Sequence, residues 1–399
     1  MVAERVALLA RHSEEPGRLT RRFGTAAHAA AADTVAGWMR DAGLEVRRDP
    51  IGNVIGRRGA GPALMLGSHI DTVPDAGRYD GALGVLAAIE VARRAGALPF
   101  ALEVVAFADE EGARFGTAYL GSSAMAGCFE TGSLAREDLD GVTLEEAIRA
   151  LGGDPARLGE AAREPGSLVG YAELHIEQGP VLEERGEALG VVTGIAGQSR
   201  AALAFAGAAG HAGTVPMELR RDALCAAAEM TLAVEALARP RLDLVATVGS
   251  LVPLPGAPNV IPGRCELTLD VRHPEDAPRH AAVAQLQDRA GEIAAARGLE
   301  LEWELLHEHP AVRCDPELTE LMAAAVGGHP PRLASGAGHD AAMMARVAPV
   351  AMLFVRCAGG VSHHPDESVE AADMAAATDA LARFVEAAAA RYGPGQGEA

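Results

Sequence analysis

Residues 101–111 read ALEVVAFADEE. The stretch 101–108 is rich in β-formers and apolar on both faces, which suits a central strand of a parallel sheet. It then stops abruptly at Asp109, Glu110 and Glu111. Upstream, PALMLGS (62–68) reads as a short buried strand, and GALGVLAAIEVARRAG (81–96) as a mostly buried helix ending at Gly96. A further helix fits 25–43, stopped by Gly43. Downstream, YAELHI (171–176) and VAMLFVR (350–356) are two more strands, and 371–391 is a closing helix. Strands alternating with helices imply an α/β fold: a mixed, mostly parallel sheet flanked by helices.

The character changes near Gly197. RAALAFAGAAG (200–210), LVATVGSLVPLP (244–255), GRCELTLDVRH (263–273) and LELEWELLHEH (299–309) alternate like strands with one solvated face. Helices fit about 219–238 and 276–297 between them. This is a small α+β domain inserted into the first. We expect residues 1–196 and 314–399 to form one domain and 197–313 the insert. A polar tail follows Tyr392.

The chain has 399 residues, 49% hydrophobic and 23% charged, with a formal net charge of −20. That charge lacks the basic footprint needed for nucleic acid. All basic residues counted as Lys+Arg are arginine. Schiff-base chemistry and a Walker A lysine are therefore excluded. The five cysteines, Cys128, Cys225, Cys265, Cys314 and Cys357, are scattered and form no CxxC pair, so neither disulfides nor a thiolate zinc site is expected. The N-terminus, with charges inside a short apolar run, makes a poor signal peptide, and no stretch is long enough to span a membrane. A cytoplasmic protein without membrane or nucleic-acid partners is expected.

Four strands end in polar clusters. LGSHIDTVPDAGRYDG (66–81) carries His69, Asp71 and Asp80; the 101–108 strand runs into Asp109–Glu111; YAELHIEQG carries His175, Glu177 and Gln178; VAMLFVRCAGGVSHHP carries His363 and His364. Taken singly, each is a polar turn or the acidic first turn of a helix. Together they describe a convergent site beyond the carboxyl ends of an open sheet. Imidazole and carboxylate without thiolate suit Zn, Mn, Co or Ni. The inventory exceeds one four-coordinate zinc and fits two cations bridged by a carboxylate.

The chain resembles the M20 metallopeptidase-type amidohydrolases, in the branch of allantoate amidohydrolases and N-carbamoyl-L-amino-acid hydrolases. The motifs that carry the likeness are GSHIDTV, YDGALGVLAAIE, FADEEGARFGTAYLGS, ELHIEQGPVLE, GHAGTVPM, NVIPG, LDVRH, SGAGHDA and GVSHHPDES, in order from residue 67 to 368. The resemblance implies two divalent ions per subunit, Zn²⁺ or Mn²⁺ with Co²⁺ also accommodated. His69 and His175 would bind one, Glu111 and His363 the other, and Asp80 both. Glu110 would be the general base, and Asp71 would orient His69. Of the adjacent pair, the family pattern selects His363 over His364.

For the substrate, the resemblance implies Gln178, His211, Asn259 and Arg272, with Gly338 and His339 nearby. Arg272 would clamp a substrate carboxylate and His211 would polarise the carbonyl as a catalytic group. The inserted domain would be a dimerisation lid, with some contacts crossing from the partner subunit of a homodimer. The implied reaction is cleavage of the ureido C–N bond of allantoate. TVPDAGRYDG, GIAGQSR and GHAGTVPM are closer to that activity than to the alternative, an N-carbamoyl-L-amino-acid hydrolase or β-ureidopropionase.

Overall fold

A computed structural model describes residues 1–392; the polar tail beyond Tyr392 lies outside the described residues. In chain order, β1 (Glu45–Arg48), β2 (Val54–Arg58), β3 (Ala63–His69), β4 (Ala101–Phe107), β5 (Leu168–Ile176) and β6 (Leu189–Ile195) come first. Then follow β7 (Gly197–Ala206), β8 (Gly210–His211), β9 (Val245–Leu254), β10 (Val260–Ile261), β11 (Arg264–His273), β12 (Glu300–His309) and β13 (Val312–Arg313). The last are β14 (Arg332–Ser335) and β15 (Val350–Val355).

The chain divides into two compact units. The first comprises Met1–Thr193, Cys314–Leu333 and Ala337–Ala399; the second comprises Gly194–Arg313 and Ala334–Gly336. Residues 334–336, read from sequence with the outer segments, fall in the second unit. The cause is local: Ser335 accepts the Ala196 N–H and Gly336 accepts from Arg272.

The first unit is built on a mixed sheet in the order β1-β2-β4-β3-β5-β15-β6. The centre is parallel: β3 pairs with β4 and β5, and β5 with β15. The flanks, β1-β2-β4 and β15-β6, are antiparallel. Strands β3, β4 and β15 are buried along their whole length, which explains their unbroken apolar sequences. One face carries helices Ala26–Asp41, Ala82–Arg94, Pro316–Val326 and Ala371–Tyr392 in a single apolar core. A separate cluster includes Phe23, Phe115, Leu120 and Ile148. Helix Ala82–Arg94 is buried on all sides from Ala82 to Ala92. Its abundant alanines let it lie close to the sheet beneath the closing helix.

The edge strand β1 and the strands β2 and β6 escape a reading of periodicity. β1 is four residues, Glu-Val-Arg-Arg, with one apolar side chain among them, and β6 is interrupted by two glycines. Their pairing is decided by neighbours, not by their own pattern.

The second unit is a four-stranded antiparallel sheet, β12-β7-β11-β9. Helices Ala223–Ala238 and Asp276–Arg297 pack on one face of it. In β11, Cys265, Leu267, Leu269 and Val271 point into that core, while Glu266, Thr268 and Asp270 alternate outward. All five cysteines are unpaired thiols among the described residues. No helix among the described residues is long and apolar enough to cross a membrane.

Ile89 is fully buried in the central helix. Ile89→Ala should cost about 2–5 kcal/mol, seen as a lower urea midpoint for the first unit's transition.

Candidate metal centre

The parallel strands deliver their polar ends to one place. His69 is the last residue of β3, and His175 the next to last of β5. Asp109–Glu111 follow β4, and His363 follows β15 by a short turn. Both strand-borne imidazoles are oriented by their Nδ1 atoms. His175 Nδ1 meets its neighbour's carbonyl, Ile176 O, at 2.9 Å. His69 Nδ1 lies 3.1 Å from the Asp71 carbonyl and 3.3 Å from its carboxylate. Nδ1–H donation to these oxygens leaves each Nε2 lone pair facing the site.

Those Nε2 atoms converge on Asp80. Its Oδ1 lies 3.3 Å from His69 Nε2 and 3.1 Å from His175 Nε2. Its Oδ2 lies 3.4 Å from His363 Nε2, which is itself 3.4 Å from Glu111 Oε1. One carboxylate therefore separates two donor sets: His69, His175 and Asp80, then Asp80, Glu111 and His363. Ligands about 2.1 Å from a tetrahedral ion stand roughly 3.4 Å apart, so these spacings and donor types fit a divalent cation in each set. His364 turns away, towards Asp366 and solvent.

Asp71 does more than face His69. Its two carboxylate oxygens accept the backbone N–H groups of Glu110, at 3.0 Å, and Glu111, at 3.2 Å. It thereby ties the turn after β4 to the turn after β3. Gly81 completes the fit. It has φ +61°, and a Cβ there would stand 2.4 Å from the His69 ring.

The electrostatics follow from burial. Burial opposes charge on His69, but the Asp71 and Asp80 carboxylates prevail and hold its pKa well above the ordinary value. Asp80 goes the other way: desolvation is outweighed by His175, His363 and His69, leaving it well below the usual carboxylate range. Hydrogen bonding to Asp80 and Glu111 raises His363 to about 10. Glu110 is raised well above a normal glutamate, chiefly by burial, with Glu111, Asp340 and Asp71 adding to it. Behind the centre, Asp109 and Asp340 are raised by the same desolvation.

The remaining expected residues divide between the units. Gln178 lies at the centre, its Nε2 donating to Asp80 Oδ2 at 2.7 Å. Because a carboxylate only accepts, the amide nitrogen must face it. Gln178 Oε1 is then a buried acceptor without a hydrogen-bond partner. His339 is buried with its ring 4.4 Å from that of His175. Gly338 lies against the Tyr119 hydroxyl, where a Cβ would come within 1.7 Å.

In the second unit, His211 and Asn259 are neighbours: Asn259 O accepts the Ala212 N–H, and Val260 pairs with His211. Arg272 lies elsewhere, bidentate on Asp270 at 2.8 and 3.1 Å with its Nη1 on Gly336 O. The β7–β11 ladder runs from Arg272–Gln198 to Arg264–Ala206, and the Val260–His211 pair follows beyond it in a separate two-stranded sheet, β8-β10. His211 thus lies past the far end of the ladder that starts at Arg272, and that ladder alone, from Arg272 to Arg264, spans roughly 26 Å at about 3.3 Å per residue.

Sequence reasoning passed over Ser362 and Glu367. Ser362 Oγ donates to Asp80 Oδ2 at 2.7 Å. Glu367 is buried, and its Oε1 accepts the N–H groups of Tyr79, at 2.7 Å, and Asp80, at 3.2 Å. Both lie in the SHHPDES motif, but nothing in its spacing distinguishes them from turn residues.

Residues 65–387 match the peptidase family M20/M25/M40. The chain is 42% identical to a probable allantoate deiminase of Oryza sativa subsp. japonica, covering 95% of this chain and 86% of the relative. It is 43% identical to an N-carbamoyl-L-amino acid amidohydrolase of Geobacillus stearothermophilus, covering 92% of each. The structure of a hydantoinase/carbamoylase-family amidase from Burkholderia multivorans superposes with a TM-score of 0.88 at 36% identity, covering 96% of each chain. The chain belongs to the M20/M25/M40 family, a metal-dependent family whose donor types its clusters reproduce.

Each raised imidazole pKa represents a proton that a cation must displace. Affinity for Mn²⁺ should therefore be weakest below pH 6.5 and rise with pH towards about 10, the value held by His363. Chelator competition at several pH values measures this. In the metal-free protein the same His363 proton stabilises the fold fully below pH 6.5, and that contribution is lost as pH rises through about 10.

Proposed function

We propose that this member of the M20/M25/M40 family cleaves the ureido C–N bond of allantoate, giving ureidoglycine, ammonia and carbon dioxide. The observation that carries the reading is Asp80 set between two imidazole–carboxylate donor sets with the buried acid Glu110 alongside. Relatives that act on allantoate and on N-carbamoyl amino acids, each more than 40% identical, support a hydrolase of ureido C–N bonds. His69, His175 and Asp80 would hold one divalent ion, and Asp80, Glu111 and His363 a second. Bound there, zinc or manganese would polarise the ureido carbonyl and acidify water for attack.

The chain's own groups do the rest. Glu110 takes the proton of the attacking water and returns it to the departing nitrogen. Gln178 Oε1, buried and unpartnered, accepts an N–H of the ureido group. His211 Nδ1 accepts the Gly213 N–H at 3.1 Å, so the neutral ring carries its proton on Nε2, ready to donate to the developing oxyanion. Arg272 spends three N–H donors on Asp270 and Gly336, leaving two of its five for a substrate carboxylate.

The separation of His211 and Asn259 from Arg272 far exceeds the length of allantoate. One copy of the second unit cannot offer both ends to one substrate. We therefore propose a homodimer in which the second unit is the dimerisation lid and His211 and Asn259 serve the partner's site. The edge strand β9 leaves Val252 and Leu254 exposed, as a pairing surface would.

The test of function is ammonia release by metal-stripped protein resupplied with Mn²⁺ or Zn²⁺. Metal-dependent release from allantoate is expected. Preference for N-carbamoyl-L-amino acids would move the enzyme to that substrate, and no release from either would overturn the ureido reading. Glu110→Gln should lower turnover by about 10²–10⁴-fold with metal content unchanged. Mixing Glu110→Gln with His211→Ala, both inactive alone, should restore about a quarter of wild-type activity, because half the dimers then carry one complete site. Absence of complementation in a mixture shown to exchange subunits would rule out the shared site.

A further inference from the structure

We infer that Glu367 is a positioning residue that sets the Asp80 carboxylate between its two donor sets; the inference rests on the metal-centre reading above. Glu367 is only 4% exposed. Among the described residues no arginine pairs with it, so its carboxylate is held by dipoles alone. Oε1 accepts two consecutive backbone N–H groups, Tyr79 at 2.7 Å and Asp80 at 3.2 Å. The loop also presses on it: a Cβ at Gly77 would lie 2.2 Å from the Glu367 carboxyl carbon. The turn that presents Asp80 is therefore wrapped directly over this side chain.

Beside Glu367, Ser362 holds the side chain of Asp80. The Ser362 hydroxyl lies 2.7 Å from Asp80 Oδ2 and 3.3 Å from Glu367 Oε2. A hydroxyl has one proton, and the shorter contact takes it. Asp80 Oδ2 thus receives Ser362 and Gln178, each at 2.7 Å, while its backbone is fixed by Glu367. Only one orientation of the carboxylate satisfies all of these and still turns Oδ1 to His69 and His175. Glu367 also lies four residues beyond His363, so one short segment supplies both a cation donor and the brace for the shared carboxylate.

The brace needs an acceptor, not a charge. In Glu367→Gln the amide oxygen still accepts from Tyr79 and Asp80, and the amide nitrogen can donate to Ser362 Oγ, leaving the hydroxyl proton for Asp80. Glu367→Leu removes the acceptors. A direct ligand or an acid–base group would be lost equally in both variants.

The experiment titrates full-length metal-free protein with Mn²⁺ alone by calorimetry, beside the thermal midpoint of each metal-free variant. Glu367→Leu should bind about 10–100-fold more weakly than wild type, with a midpoint within a few degrees of it. Glu367→Gln should stay within about threefold of wild type, and Ser362→Ala should weaken binding about tenfold. The inference is overturned if Glu367→Leu binds as wild type does, or if Glu367→Gln loses as much as Glu367→Leu. Should Glu367→Leu not fold, Glu367→Gln and Ser362→Ala decide: tight binding in the first with weakened binding in the second supports the brace, and any other pairing overturns it. A wild-type protein that binds no Mn²⁺ or Zn²⁺ would instead overturn the metal centre, and the brace with it.

Discussion

The Asp80 carboxylate is the constraint on which the centre depends. Three imidazole Nε2 atoms point at it, two on one oxygen and one on the other. Buried like-charged carboxylates on their own would repel, and buried imidazoles would lose their protons. Placed against each other they favour opposite charges in a buried site. That arrangement is costly to build and is maintained by contacts reaching well beyond the donors. Asp71 pins the backbone of Glu110 and Glu111, Ile176 and Asp71 carbonyls aim two rings, and Glu367 and Ser362 hold Asp80 itself.

The fold makes such convergence cheap. Parallel strands all end on the same side, so four of them bring their following turns together without any long excursion of the chain. The central helix begins one residue after Asp80–Gly81, and its small side chains let it lie tightly under the sheet. The site is thus supported by the most buried part of the molecule, while His363, on a turn, stays half exposed. A buried floor and an accessible rim would suit a centre that fixes a metal and admits a small molecule.

Much of this was legible in the chain. The strands at 62–68, 101–108 and 350–356 announce themselves because both faces are buried and the apolar runs are unbroken. Strand β11 announces itself by strict alternation, because only one of its faces is covered. The donors could be picked out because His, Asp and Glu at successive strand ends are chemically incongruous with the apolar runs before them. By contrast, β1, β2 and β6 were not legible, since their place is set by hydrogen-bonding neighbours. Ser362 and Glu367 were hidden for the same reason: a serine and a glutamate in a turn carry no mark of what lies 282 to 288 residues away in sequence.

The sequence by itself determined the α/β class and the donor types, because periodicity and residue chemistry are local properties, and its motifs carried the resemblance to the M20 family. Tertiary structure alone decided which oxygen of Asp80 faces which imidazole and that Gln178 leaves its oxygen free. It also decided that His211 lies in a two-stranded sheet past the far end of the ladder that starts at Arg272. These are outcomes of strand order, register and side-chain direction, which depend on what the rest of the chain packs against and cannot be read from any short stretch of it.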